Sequence, residues 1–213
     1  MLTNFTEPID VRDGRYGETA ESIGLNWIRK KLKYVMIPED IIGKRIRFLA
    51  RRITRDYRDS QALLLVTVLQ GAQKFAAELA YRIDNENMEF DSVRISSYLA
   101  ATSTGAGRET LPLKQDVTGK DVLIVEDIVD TGRQMRGFMD RIAATSSPRS
   151  IRLVTLTEKP ARRRVDLEID YCGFIVPDEF IVGYGMDYRE KYRNLPFIGV
   201  LHEEVFANGV GPQ

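Results

Sequence analysis

Residues 122–135 read VLIVEDIVDTGRQM, and they set the pattern for the whole chain. Val122, Leu123, Ile124 and Val125 form an apolar run with no polar alternation, the mark of a strand covered on both faces. Glu126 and Asp127 close the run, Asp130, Thr131 and Gly132 are turn formers, and Gly132 to Ala144 then carries helical spacing. A buried strand passing straight into a helix is the unit from which parallel sheets are assembled.

The same unit recurs on both sides. Ala62 to Leu69 is an apolar run followed from Gly71 by helical spacing through Phe75, Leu79 and Ile83; Val93 to Tyr98 and Ile151 to Thr157 read as further strands. The expected fold is therefore α/β, a mostly parallel twisted sheet flanked by helices. Upstream, Pro38 opens an amphipathic helix whose stripe is Ile42, Ile46, Leu49, Ile53 and Tyr57. Its other face holds Lys44, Arg45, Arg47, Arg51, Arg52, Arg55 and Arg58. With acids at the helix start and bases at its end, the macrodipole explanation and a solvated face are preferred to a nucleic-acid stripe. Thr19 to Tyr34, with Ile23, Trp27, Ile28 and Leu32 on one face, predicts a second amphipathic helix. Downstream, Phe174 to Val176, Phe180 to Gly183 and Phe197 to Leu201 predict three short strands forming a small C-terminal hood. The expected organisation is an N-terminal extension over 1–36 and one domain, hood included, over 37–213.

Composition excludes several classes. The 213 residues are 43% hydrophobic and 29% charged, so a chain of this length buries roughly 70% of its unfolded surface without staples. Cys172 is the only cysteine, which removes internal disulfides and Cys/His zinc sites and suits a reducing compartment. The start has no signal-peptide pattern and no eighteen-residue apolar run occurs, so a cytoplasmic protein without a membrane partner is expected. Thirty-one basic against 31 acidic side chains give no global attraction to nucleic acid.

In open α/β sheets ligands bind beyond the carboxyl ends of the strands. At the end of the 122–125 strand, the turn at Asp130, Thr131 and Gly132 offers amides and a helix N-terminus suited to phosphate, yet three carboxylates stand beside it. Ribose hydroxyls and a divalent cation would reconcile the two, since carboxylates accept from hydroxyls and hard cations favour oxygen. The alternative is that Asp130 or Thr131 only caps the helix. No GxxxxGK[ST] occurs, and Gly105 and Gly107 lack the third glycine and preceding strand of a dinucleotide fingerprint. The segment 99–116 is long and aperiodic, as active-site lids are.

EDIVDTG, residues 126–132, resembles the phosphoribosyl pyrophosphate (PRPP) motif of the type I phosphoribosyltransferases. From about Val35 to Leu201 the motif order and spacing resemble the hypoxanthine-guanine phosphoribosyltransferases. The resemblance implies that Glu126 and Asp127 hold ribose hydroxyls and Mg²⁺, that Asp130, Thr131, Gly132, Arg133 and Gln134 wrap the 5′-phosphate, and that Asp130 exchanges a proton at purine N7. It implies a pyrophosphate loop at Leu69, Gln70 and Gly71 with a non-proline cis peptide between Leu69 and Gln70. Ser97 and Tyr98 would close as a lid that excludes water. Lys159 would donate to the purine 6-oxo group, Phe180 would stack on the ring, Ile181 would read its edge through the backbone, Asp187 would bind a second magnesium beside the purine, and Arg193 would bind pyrophosphate. An ammonium selects an oxo over an amino group, which favours hypoxanthine or guanine.

Two positions depart from the family pattern: Gln70 replaces a usual Lys or Arg, and Gln134 a usual hydroxyl residue. They bear on an alternative, a PRPP-sensing regulator with little catalysis, and a transferase preferring xanthine is another. Arg162, Arg163 and Arg164 read as a solvated turn, and His202, the only histidine, receives no role. The partners implied are small molecules, with a homodimer or homotetramer as the default assembly.

Overall fold

The structure is a computed structural model that describes residues 7–22, 24–96 and 108–206. Its elements in chain order are β1 (Ile9–Asp10), α1 (Asn26–Arg29), β2 (Leu32–Ile37), α2 (Glu39–Asp56), β3 (Leu63–Val68), α3 (Gln73–Ala80), β4 (Met88–Ser96) and β5 (Arg108–Leu111). There follow β6 (Asp121–Val129), α4 (Arg133–Thr145), β7 (Ser150–Glu158), β8 (Tyr171–Ile175), β9 (Ile181–Val182), β10 (Ile198–Leu201) and α5 (Glu203–Phe206).

One sheet has seven strands in the order β1-β8-β7-β6-β3-β4-β5. Every neighbouring pair is parallel except β4 with β5. The unbroken apolar runs have a direct cause, because alternate residues feed separate cores. Leu63, Leu65, Leu123 and Val125 pack with Ile42, Ile46, Leu49 and Phe75 of α2 and α3. Leu64, Val66, Val122 and Ile124 pack with Met135, Phe138 and Ile142 of α4 on the opposite face. A smaller antiparallel sheet, β2-β10-β9, forms the hood. Among the described residues no helix is long and apolar enough to cross a membrane.

Three expectations are corrected. Thr19 to Tyr34 is not one helix: a 3-10 turn at Ala20–Ser22 and the four-residue α1 precede β2. Gly24 weakens a helix there, while pairing of the β-prone Leu32–Ile37 with β10 outweighs the helical spacing. The strand expected at 174–176 starts at Tyr171 and joins the large sheet beside β7 instead of the hood. A Cβ on Gly173 would lie 2.3 Å from the Leu156 carbonyl, so glycine permits that pairing. Arg45 does not lie on the solvated face of α2; it is 1% exposed and donates to the Cys172 carbonyl at 2.7 Å, tying α2 to β8. Ahead of α2, the chain contributes one strand to each sheet. β1 extends the large sheet against β8, and β2 completes the hood.

At the amino end of β6, remote from the strand ends that carry the motifs, Asp121 accepts from Ser60 Oγ (2.6 Å), Ser150 Oγ (2.7 Å) and the Arg149 guanidinium. Burial pushes its carboxyl up, but the hydrogen bonds from Arg149, Ser60 and Ser150 outweigh burial and hold it down at about 2. A depressed carboxyl stabilises the fold above its unfolded value near 3.9, and that contribution disappears as pH falls through the folded value. Asp121→Asn is expected to cost about 2 kcal/mol at pH 7. Urea unfolding from pH 7 down to pH 2 checks this: the gap between variant and wild type must close between about pH 4 and pH 2.

Candidate active site

β3, β6 and β7 are adjacent and parallel, so the segments that follow them emerge on one edge of the sheet. Glu126 and Asp127 are the last polar pair on β6. Asp127 is 7% exposed, and Glu126 Oε2 is buried without a hydrogen-bond partner. Burial raises both carboxyls above their ordinary range, and the Asp127 charge raises Glu126 further. Two acids set this way do not favour folding, so their worth is expected in binding.

The pyrophosphate-loop candidate lies against that pair. The Leu69–Gln70 peptide is cis. A Cβ on Gly71 would stand 1.9 Å from Asp127 Oδ2, and one on Gly185 1.9 Å from the Gly71 carbonyl oxygen. Three segments distant in sequence therefore meet where only glycine backbone fits, and Gly185 also has φ +108°. Arg193 joins them electrically. It donates to the Gly185 carbonyl at 2.8 Å, pairs with Asp187 at 2.8 Å and with Glu190 at 3.0 Å, and its charge draws the Asp127 carboxyl down against the effect of burial. Asp187 also accepts from the Glu190 amide at 2.7 Å. Among the described residues no three His, Cys, Asp or Glu side chains converge on one point.

The loop after β6 is a second cluster. Gly132, at φ +78°, precedes α4, and no side chain caps that helix, so its leading N–H groups and positive dipole end are available to an anion. Thr131 is half-buried and Arg133 exposed. Gln134 does not extend toward the loop centre; its amide donates to the Ile95 carbonyl at 2.7 Å, bridging α4 to β4. Asp130 Oδ1 accepts from Arg162 Nε at 2.6 Å, and Arg162 also reaches Asp178 at 3.3 Å. Arg163 pairs with Glu158 at 2.9 Å and would meet a Cβ on Gly132 at 3.0 Å, while the Arg164 amide donates to the Thr131 carbonyl at 3.0 Å. Arg162 and Arg163 are thus a wall of the site, whereas the Arg164 side chain is exposed as a solvated turn requires. Their position directly after the β7 strand end was the available signal.

The third cluster is the hood side. Lys159 is 5% exposed; its ammonium donates to the Glu179 carbonyl at 2.7 Å and lies 3.9 Å from Asp178. Burial lowers its pKa, opposed by the charges of Asp130 and Asp178. Ile181 is buried in β9. Phe180 stacks on Phe206 with centroids 4.9 Å apart and meets Tyr188 edge-on at 5.6 Å. Phe206 and Tyr34, whose hydroxyl donates to Glu179, were not singled out from sequence, because neither lies in a motif. Ser97 and Tyr98 lie outside the described residues.

Comparison with known proteins adds an independent line. Residues 38–189 match the phosphoribosyl transferase domain family. The chain is 40% identical over 182 residues to the hypoxanthine-guanine phosphoribosyltransferase of Streptococcus pneumoniae, covering 85% of this chain and 99% of that one. It is 44% identical over 177 residues to the bifunctional protein TilS/HprT of Listeria monocytogenes, of which it spans 27% of the length. The crystal structure of a hypoxanthine phosphoribosyltransferase from Staphylococcus aureus superposes with a TM-score of 0.81 at 38% identity, covering 86% of this chain and 99% of that chain.

The raised Glu126 carboxyl fixes a sign. Such a group favours the fold below its unfolded pKa near 4.3 and loses that contribution as pH climbs toward the folded value. In metal-free buffer Glu126→Gln is expected to be more stable than wild type at pH 8, by about 1–3 kcal/mol, with the difference shrinking toward pH 4. Thermal unfolding across that range measures it; a variant less stable at pH 8 contradicts the assignment.

Proposed function

The chain belongs to the hypoxanthine-guanine phosphoribosyltransferases, and on that premise we propose that it transfers the 5-phosphoribosyl group of PRPP to N9 of hypoxanthine or guanine, releasing pyrophosphate. The observation that carries the reading is the contact of Asp127, Gly71 and Gly185, with Arg193 pairing to Asp187 beside them. A sugar bearing a phosphate at one end and a pyrophosphate at the other needs two cradles with hydroxyl acceptors between them. The Gln70–Gly71 loop lies against Asp127, and the α4 N-terminus follows the Glu126–Asp127 pair along the chain.

The orphaned Glu126 Oε2, in a buried pair of carboxylates, suits Mg²⁺ and ribose hydroxyls. Glu126 and Asp127 are the residues that would hold the ion, with Asp187 at a second position. When bound it supplies positive charge against the pyrophosphate. The remaining work falls to the chain itself. Arg193 and the backbone of Leu69, Gln70 and Gly71 orient the pyrophosphate. Thr131, Gly132, Arg133 and the leading amides of α4, Gln134 included, hold the 5′-phosphate. Asp130 is oriented by Arg162 on Oδ1, so its other oxygen would take the proton at purine N7 and face the positive charge growing on the ribose. Lys159 donates to the 6-oxo group and rejects a 6-amino group, Ile181 reads the ring edge, and Phe180, which packs on Phe206, would stack on the ring. Ser97 and Tyr98 would close the site to water. The working form is a cytoplasmic homodimer or homotetramer, as the family resemblance implies.

Steady-state assays with PRPP, Mg²⁺ and each of hypoxanthine, guanine, xanthine and adenine test the reading. Turnover of hypoxanthine or guanine with none of adenine is expected. Turnover of no base overturns it in favour of a PRPP-binding regulator, and xanthine as best substrate overturns the base preference. Asp130→Asn is expected to lower kcat on the order of a hundredfold while PRPP affinity stays close to wild type. Calorimetry of PRPP binding beside the rate assay separates the two quantities.

A further inference from the structure

Tyr34 sits in β2, outside the 38–189 range of the family match, yet the hood brings it to the purine side. Val200 of β10 pairs with Tyr34 on one side and with Ile181 on the other, so the three residues lie in register across the small sheet. The segment between β8 and β9 belongs to neither sheet, and its course is set by a few bonds. The Val176 amide donates to the Glu158 carbonyl at 3.0 Å, the Glu179 amide to the Pro177 carbonyl at 2.9 Å and the Leu201 amide to the Phe180 carbonyl at 3.1 Å, and Arg162 donates to Asp178 at 3.3 Å. Beyond these, the Glu179 carboxylate is gripped from β2: the Tyr34 hydroxyl donates to Oε2, and Lys33 Nζ to Oε1 at 2.9 Å. The Glu179 main-chain carbonyl accepts from Lys159 at 2.7 Å.

We propose that Tyr34 is a positioning residue for purine recognition: by holding the Glu179 carboxylate it fixes the main-chain carbonyl on which the Lys159 ammonium is aimed. The inference rests on the transferase reading above. Lys33 contributes little, since its side chain is 56% exposed and water screens the pair. Tyr34 is the stronger hold. It is partly buried, and burial together with Glu179 raises its pKa, so the hydroxyl remains a donor at any physiological pH. Lys159 has three N–H donors; with one spent on Glu179 its direction is set and the others remain for a 6-oxo group. Without the Tyr34 contact, Glu179 loses an anchor and the ammonium loses its fixed aim.

Tyr34→Phe keeps the ring and removes the donor. In the full-length chain it is expected to raise KM for hypoxanthine and guanine about tenfold, with KM for PRPP and kcat close to wild type. Glu179→Ala is expected to give the same split, and the double variant is expected to be no worse than Glu179→Ala alone. Glu179→Gln, which keeps an acceptor for Tyr34, is expected to recover most of the loss. Thermal unfolding accompanies each variant; if Tyr34→Phe does not fold, the contrast between Glu179→Ala and Glu179→Gln decides. An unchanged purine KM, equal changes in both KM values, or independent multiplication in the double variant overturns the inference. A wild-type chain that turns over no purine instead overturns the reading beneath it.

Discussion

Two carboxylates buried side by side at the end of a strand repel each other and resist leaving water, and the loops around β6 are arranged by the need to seat them. Glycine backbone supplies the seat. Gly71 lies against Asp127 so closely that no side chain fits, and Gly185 lies against Gly71 in the same way. A phosphate-facing loop, a strand end and the hood are thereby locked to one point. Burial of the two acids works against folding, and a ligand that brings hydroxyls and positive charge to them would offset that cost.

The arginines around this point balance charge locally in a chain whose formal net charge is zero. Arg162 holds Asp130 and Asp178, Arg163 holds Glu158, and Arg193 holds Asp187 and Glu190. In the pairs with Asp130, Glu158 and Asp187 both partners are largely covered, so these are shielded less by water than the exposed pairs on α2 such as Asp40 with Lys44. They hold acids in set directions, which is what positioning catalysis requires.

The hood shows the same economy. β2 leads into α2, yet it also forms one edge of the small sheet and supplies Tyr34 to Glu179. A short segment before the main domain thus reaches the group that aims Lys159. Its counterpart at the other end is α5, whose Phe206 covers one face of Phe180.

Local pattern is enough for much of this. Buried strands such as Val122–Val125, the amphipathic stripe of α2 and the acid pair followed by a glycine turn are legible one residue after another, because strand burial, helix periodicity and turn chemistry are short-range properties. The motif residues that meet around Asp127 were likewise legible as motifs. Contacts between segments far apart in the chain were not. Leu32–Ile37 becomes a strand because β10 is there to pair with it, Arg45 turns inward because the Cys172 carbonyl awaits it, and Arg162 faces Asp130 because β6 and β7 are neighbours. Such choices depend on partners tens of residues away, so only the folded arrangement, where burial and pairing are decided together, selects them.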